Sequence, residues 1–328
     1  MVKDAHPEPV KEAASTVLPV WLEAFRVLLN IDPRKDVESV ANWDGLAIRT
    51  QVIKVRILPT LPPSSLRNWC PQTLDIIHTA FPRTIAPYLP DFLTASLGQL
   101  HVLFPAFHQF YVLASDTVPL SSEDEKIELS QLASATLDFI AAVSRSGKAR
   151  DWFNEANVNE LVGDVFRWTE MTADEVSYLI IYAPYELIRL HNLSLQEAEW
   201  ASDANAFVAQ ESEDSTSYSV RVASCDLLDV LIDRFPSRVL PAIQTNLNAV
   251  IAQSSEANRT NANEWWRPLE AAFAAFGAVS QTALEVLEDE KVAGRQGSLD
   301  LTQLLVSVVP GILTQSRTFL SFFGARID

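Results

Sequence analysis

The chain has 328 residues, 48 % of them hydrophobic, with nine glycines, two cysteines and a formal charge of −17. Such a length exceeds what one globular core usually holds and points to two domains or an elongated repeat array. Scarce glycine leaves little for phosphate-cradling loops, and the acidic balance disfavours nucleic acid and anionic membrane while favouring a basic protein partner.

Taken in chain order, the first element follows Val17-Leu18-Pro19, where Trp21, Leu22 and Phe25 give helical spacing. Phe81-Pro82 closes a helix, and Tyr88-Leu89-Pro90 leads into Phe92, Leu93 and Leu97. Ser115–Glu125 reads as a loop. Over 126–144, Ile127, Leu129, Leu132, Ala133, Leu137 and Ile140 form one broad stripe, with Glu128, Gln131 and Asp138 around it. The segment 151–220 sets fourteen acids against Arg167 and Arg189 alone, and its stretch 210–217 reads as a polar loop. Over 219–235, Val220, Ala223, Leu227, Leu231 and Phe235 predict a helix. Phe235-Pro236 and Val239-Leu240-Pro241 repeat the earlier punctuation, and a loop is expected over 253–263. Trp265-Trp266 opens a helix running through Leu269, Phe273 and Phe276; 293–298 is a glycine-containing loop; Val308-Val309-Pro310 closes the series.

The recurring prolines stand 71, 151 and 69 residues apart, near two, four and two units of roughly 35–38 residues. Proline can start a helix, where its missing N–H costs nothing, while ending the one before. The fold class expected is all-α: a HEAT-repeat superhelix of about seven to eight helix pairs, one continuous array over 1–328. A compact helical bundle is the alternative. No apolar run reaches the length of a membrane span, and no secretory signal is visible. Cys70 and Cys225 are therefore expected as buried free thiols in a reducing compartment.

No catalytic constellation stands out, so a non-catalytic scaffold without cofactor or metal is expected. The histidines His6, His78, His101, His108 and His191 have neither metalloprotease spacing nor paired cysteines beside them. His101 and His108, seven apart on an apolar stretch, read as structural. Asp226, Asp229 and Asp233 fall at i, i+3 and i+7, on the face opposite Leu227 and Leu231. They read as a solvent face, or as a strip of charge that attracts a basic cargo. With the loop residues Glu211, Glu213 and Asp214, they make up the candidate partner-binding site.

One stretch adds a resemblance. Trp200-Ala201-Ser202-Asp203, Phe207-Val208, the acidic Glu211–Asp214, then Ser217-Tyr218-Ser219-Val220-Arg221 and Asp226-Leu227-Leu228 resemble the mid-chain signature of importin-β superfamily receptors, most closely the importin-nine branch. Glu264-Trp265-Trp266-Arg267, Glu270-Ala271, Gly277-Ala278-Val279 and Gln315–Arg326 are similar to the same branch downstream. Here Ser212, Ser215 and Thr216 interrupt the acidic run. The likeness covers roughly 200–326; over 10–199 it lies in helix layout and the Leu-Pro phrases.

That resemblance implies a monomeric nuclear transport receptor, shuttling between cytoplasm and nucleus. It would bind basic cargo such as core histone dimers, with the GTPase Ran and nucleoporins as partners of the intact receptor. No N-terminal Ran signature is visible, so the chain is expected to be an internal fragment of a longer receptor. A structural HEAT adaptor unrelated to transport, of the phosphatase or condensin type, is the second reading.

Overall fold

The computed structural model describes residues 8–38, 43–53, 73–114, 117–122, 127–172, 219–260, 262, 264–294 and 297–300. Among these every regular element is helical: α1 (Glu8–Leu29), α2 (Arg34–Val37), α3 (Asp44–Ile53), α4 (Thr73–Ala80), α5 (Pro82–Ile85), α6 (Leu89–Phe107), α7 (Leu129–Ser146), α8 (Glu155–Trp168), α9 (Val220–Arg234), α10 (Pro236–Arg259), α11 (Arg267–Ala278) and α12 (Ser280–Val292). A 3-10 turn over Ala86–Tyr88 joins α5 to α6, and a π-helical turn over His108–Val112 prolongs α6.

The helices pack in two rows. α7 lies between α3 and α9, and α8 lies between α6 and α10. The core between the rows is aliphatic and aromatic. The predicted stripe of Ile127, Leu129, Leu132, Ala133, Leu137 and Ile140 is buried, and α7 buries Phe139 and Val143 besides. α8 buries Val158, Leu161, Val162, Val165 and Trp168. Each fully buried side chain of this size is worth about 1.5–3 kcal/mol of transfer free energy, which is why neighbouring helices define the register. Trp168 sits 4.6 Å from Phe107 between ring centroids and donates its indole N–H to the Leu100 carbonyl at 3.2 Å. Its one polar atom is thus satisfied in an apolar setting.

Helix ends are closed by local chemistry. Asn154 and Ser219 accept from the backbone N–H groups of Asn157 and Val222, the usual N-cap arrangement. Gly147 ends α7 at φ 68°, a left-handed conformation that glycine adopts without a Cβ clash. Tyr111 hydroxyl donates to the Ile127 carbonyl and accepts from the Leu129 N–H, which holds the start of α7. Arg49, 2 % exposed, pairs with Asp36 at 2.9 Å and donates to the carbonyls of Leu29 and Ile31, closing the end of α1.

Several expectations change. The loop expected over 253–263 is helical to Arg259: Ser255 hydroxyl donates back to the Ile251 carbonyl and Glu256 pairs with Arg259 one turn on. Polar residues here face solvent on a helix rather than breaking it. The Leu-Pro phrase does not open helices uniformly. Pro90 is the second residue of α6, but Pro19 and Pro241 lie inside α1 and α10. It is Pro82 and Pro236 that stand at first helical positions, with Phe81 and Phe235 as N-cap residues.

Pro90 lies on α6 and Pro241 on α10, and α8 touches both. Cys225 is a free thiol but only half-buried. Cys70, His6, His191, the loop 210–217 and Val308-Val309-Pro310 lie outside the described residues. No described helix is long and apolar enough to cross a membrane.

Candidate functional site

Two places carry unusual charge. The first is the acid strip on α9. Leu227 and Leu231 are fully buried while Asp226, Asp229 and Asp233 are exposed, as the i, i+3, i+7 spacing predicts. Inward, Leu227, Leu228 and Ile232 face the core between α9 and α7. Carboxylates of the strip also make contacts of their own. Asp229 accepts from the Thr282 hydroxyl at 2.7 Å, tying α9 to α12, and Asp233 lies 3.5 Å from Arg234. Glu211, Glu213 and Asp214, the other half of the candidate site, lie outside the described residues.

The second place is a buried charged seam that periodicity did not reveal. Its residues come from α6, α8, α9 and α11. Arg221, at the start of α9, donates to the Thr169 carbonyl at 2.8 Å and forms a two-pronged pair with Glu270 of α11, at 2.7 and 3.2 Å. Both partners are nearly buried, and a bidentate geometry is what gives such a pair net strength. Arg267 of α11 pairs with Glu264 and stacks over Trp266 at 5.1 Å from the ring centroid. Trp265 and Trp266 are both half-buried, and α11 begins just after them at Arg267.

Glu170 lies just past the end of α8, 4 % exposed, with Oε2 3.4 Å from His108 Nε2. Burial pushes its carboxyl up to about 8, with Arg267 pulling the other way and Glu270 and Glu264 adding to the rise. A carboxylate at a helix C-terminus also opposes the helix dipole. Burial holds the His108 ring below its ordinary value, helped by Arg267 and countered by Glu264. Close as they are, the two groups are therefore not an ion pair at neutral pH: acid and ring are both uncharged.

Nearly two turns back, Asp164 is fully buried and pairs with Arg167 at 3.0 Å, with His101 Nδ1 at 3.7 Å. Burial raises its carboxyl to about 6 against the pull of Arg167 and His101. His101 and His108 thus each lie beside a buried acid, Asp164 and Glu170. The signal available in the sequence was the i, i+3 pair Asp164/Arg167 and the acid at 170 in an otherwise apolar run.

Among the described residues no group of three or more His, Cys, Asp or Glu is placed to hold a metal ion. A shallow hollow beside α1, about 400 Å³, is lined by Arg26, Val27, Asn30, Ile31 and Asp91, with Arg26 3.5 Å from Asp91. No known protein-family profile matches the chain.

Proposed function

We propose that the chain is a HEAT-type segment of an importin-β superfamily nuclear import receptor that binds basic cargo without catalysing a reaction. The observation that carries the reading is the row-on-row packing, α7 on α9 and α8 on α10, with three carboxylates of α9 turned outward. A stack of this kind presents long ridged surfaces on which charge accumulates. The net charge of −17 supplies a field that speeds encounter with a lysine- and arginine-rich partner. The resemblance over Trp200–Leu228 and Glu264–Val279 names the partner class: core histone dimers as cargo, with Ran-GTP and nucleoporins acting on the intact receptor.

Capture of purified histone dimers on the immobilised chain, with and without Ran-GTP, tests the proposal. Salt-sensitive retention of the dimers is the expected result. Equal retention of histone dimers and of an acidic protein of similar size rejects a cargo receptor. A structural HEAT adaptor is the second reading, supported by the same packing; it predicts no preference for histones.

A further inference from the structure

We propose that the contact of α11 with the end of α8, beside His108, is a proton-operated joint, closed while Glu170 carries its proton and loosened when the proton leaves. The geometry is specific. Glu170 is sealed at the meeting point of four elements, and its Oε2 has no hydrogen bond, only the His108 ring at 3.4 Å. From α6 and its π turn it faces His108, with His101 further along. From α8 come Asp164 and Arg167, from α9 Arg221, from α11 Arg267 and Glu270, and from the turn before α11 Glu264.

A charge created at Glu170 would sit among two nearby carboxylates, with one guanidinium already committed to Glu264 and another to Glu270 and the Thr169 carbonyl. Buried ions that gain no dedicated partner are expelled to water, and the element that can yield here is α11, whose Arg267 and Glu270 meet the seam. Burial explains why the carboxyl stays protonated to about 8, whereas in water it would ionise near 4.5. Opening the joint therefore releases one proton across that window. Its equilibrium constant rises about tenfold per pH unit.

Hydrogen exchange at the backbone amides of Ala271–Ala278, followed from pH 6 to 8 in wild type and Glu170→Gln at each pH, reads the joint. Comparing the two chains at one pH cancels the intrinsic base catalysis of exchange. Gln is neutral at every pH, so the ratio of wild-type to variant protection should fall about tenfold per unit. A ratio that stays constant while both proteins are folded overturns the proposal.

Glu264→Gln provides a second arm should Glu170→Gln fail to fold, because Glu264 is half exposed and not needed for the core. It removes an acid that raises Glu170 and releases Arg267 to attract it. The pH-dependent fall in protection should level off at a lower pH in this variant, leaving it to lose less protection between pH 6 and 8 than wild type. A fall as large as in wild type, or larger, again overturns the joint. Neither arm uses cargo, so a negative histone experiment leaves the joint standing, and the reverse also holds.

Discussion

Arg221 donates a hydrogen bond from Nη1 to the carbonyl oxygen of Thr169, 2.8 Å away and 52 positions earlier in the chain. Its Nη2 is 2.7 Å from Glu270. One side chain thus ties the end of α8, the start of α9 and α11 together, and the chain on either side of residues 173–218 is held at one point. The pair is nearly buried at both ends, so removing one member strands the other. Arg221→Met should cost about 3–5 kcal/mol in denaturant unfolding. Adding Glu270→Gln to that variant should recover part of the loss; a double variant worse by the sum of the singles would show that the two side chains act apart.

Leu227→Ala removes a fully buried side chain between α9 and α7. The expected loss is about 2–5 kcal/mol, since the surrounding helices can only partly close the gap. Asp233→Asn, on the opposite face and well exposed, should change stability by no more than about 0.5 kcal/mol. Urea midpoints of the two variants, measured together, check which face of α9 is inside.

Gly45 has no room for a side chain. A Cβ there would lie 2.1 Å from Asp36 Oδ1, the carboxylate that holds the buried Arg49. Gly45→Ala should therefore displace Asp36 and cost about 1–3 kcal/mol, as overpacking does elsewhere. Gly98→Ala, with nothing within 4 Å of its new methyl, is the matched control and should be neutral or slightly stabilising.

The pH dependence has two opposite arms. Asp164 is raised by burial to about 6, so its contribution is fully present below 3.8 and is lost as pH rises through 6. His108 is lowered by burial, so its contribution is fully present above 6.5 and is lost as pH falls through its depressed value. Asp164→Asn should lessen the decline between pH 4 and about 6, leaving the part that Glu170 contributes on its way to about 8. His108→Gln should remove the loss on the acid side of 6.5. Thermal midpoints taken across pH 4 to about 7 separate the two, because their slopes have different signs.

For the acid strip the expected effect is kinetic. Replacing Asp226, Asp229 and Asp233 with Asn, or Glu211, Glu213 and Asp214 with Ser, should slow capture of histone dimers while leaving dissociation nearly unchanged. Raising salt should erase the difference, since exposed charges are screened over about 8 Å at physiological ionic strength. Wild-type association rates in low salt for both triple variants would reduce the acidic surface to a solubility device.

Much of the helical layout was readable from periodicity. The stripes expected over 126–144 and 219–235 became α7 and α9 with their apolar faces inward, and Trp265-Trp266 stands directly before α11. Helix ends were less readable where polar residues continued a helix, as at 253–259. Proline placement misled in part, because Pro19 and Pro241 sit within helices whose first turns are set by the residues before them. Of the acid strip, exposure of Asp226, Asp229 and Asp233 followed from spacing; Asp229 bonding to Thr282 did not, because α12 is 53 positions away.

By itself the sequence determined which face of each helix is apolar, since that depends on a period of 3.6 residues within one segment. It determined the acidity of the chain. Only the tertiary structure decided that Glu170 meets His108 and that Arg221 reaches both Thr169 and Glu270. Those contacts join α6, α8, α9 and α11 across long stretches of chain, and a buried charge takes its properties from whatever packs over it. No window of local sequence contains that neighbour, so the protonation of Glu170 is a property of the packed rows and not of the residue.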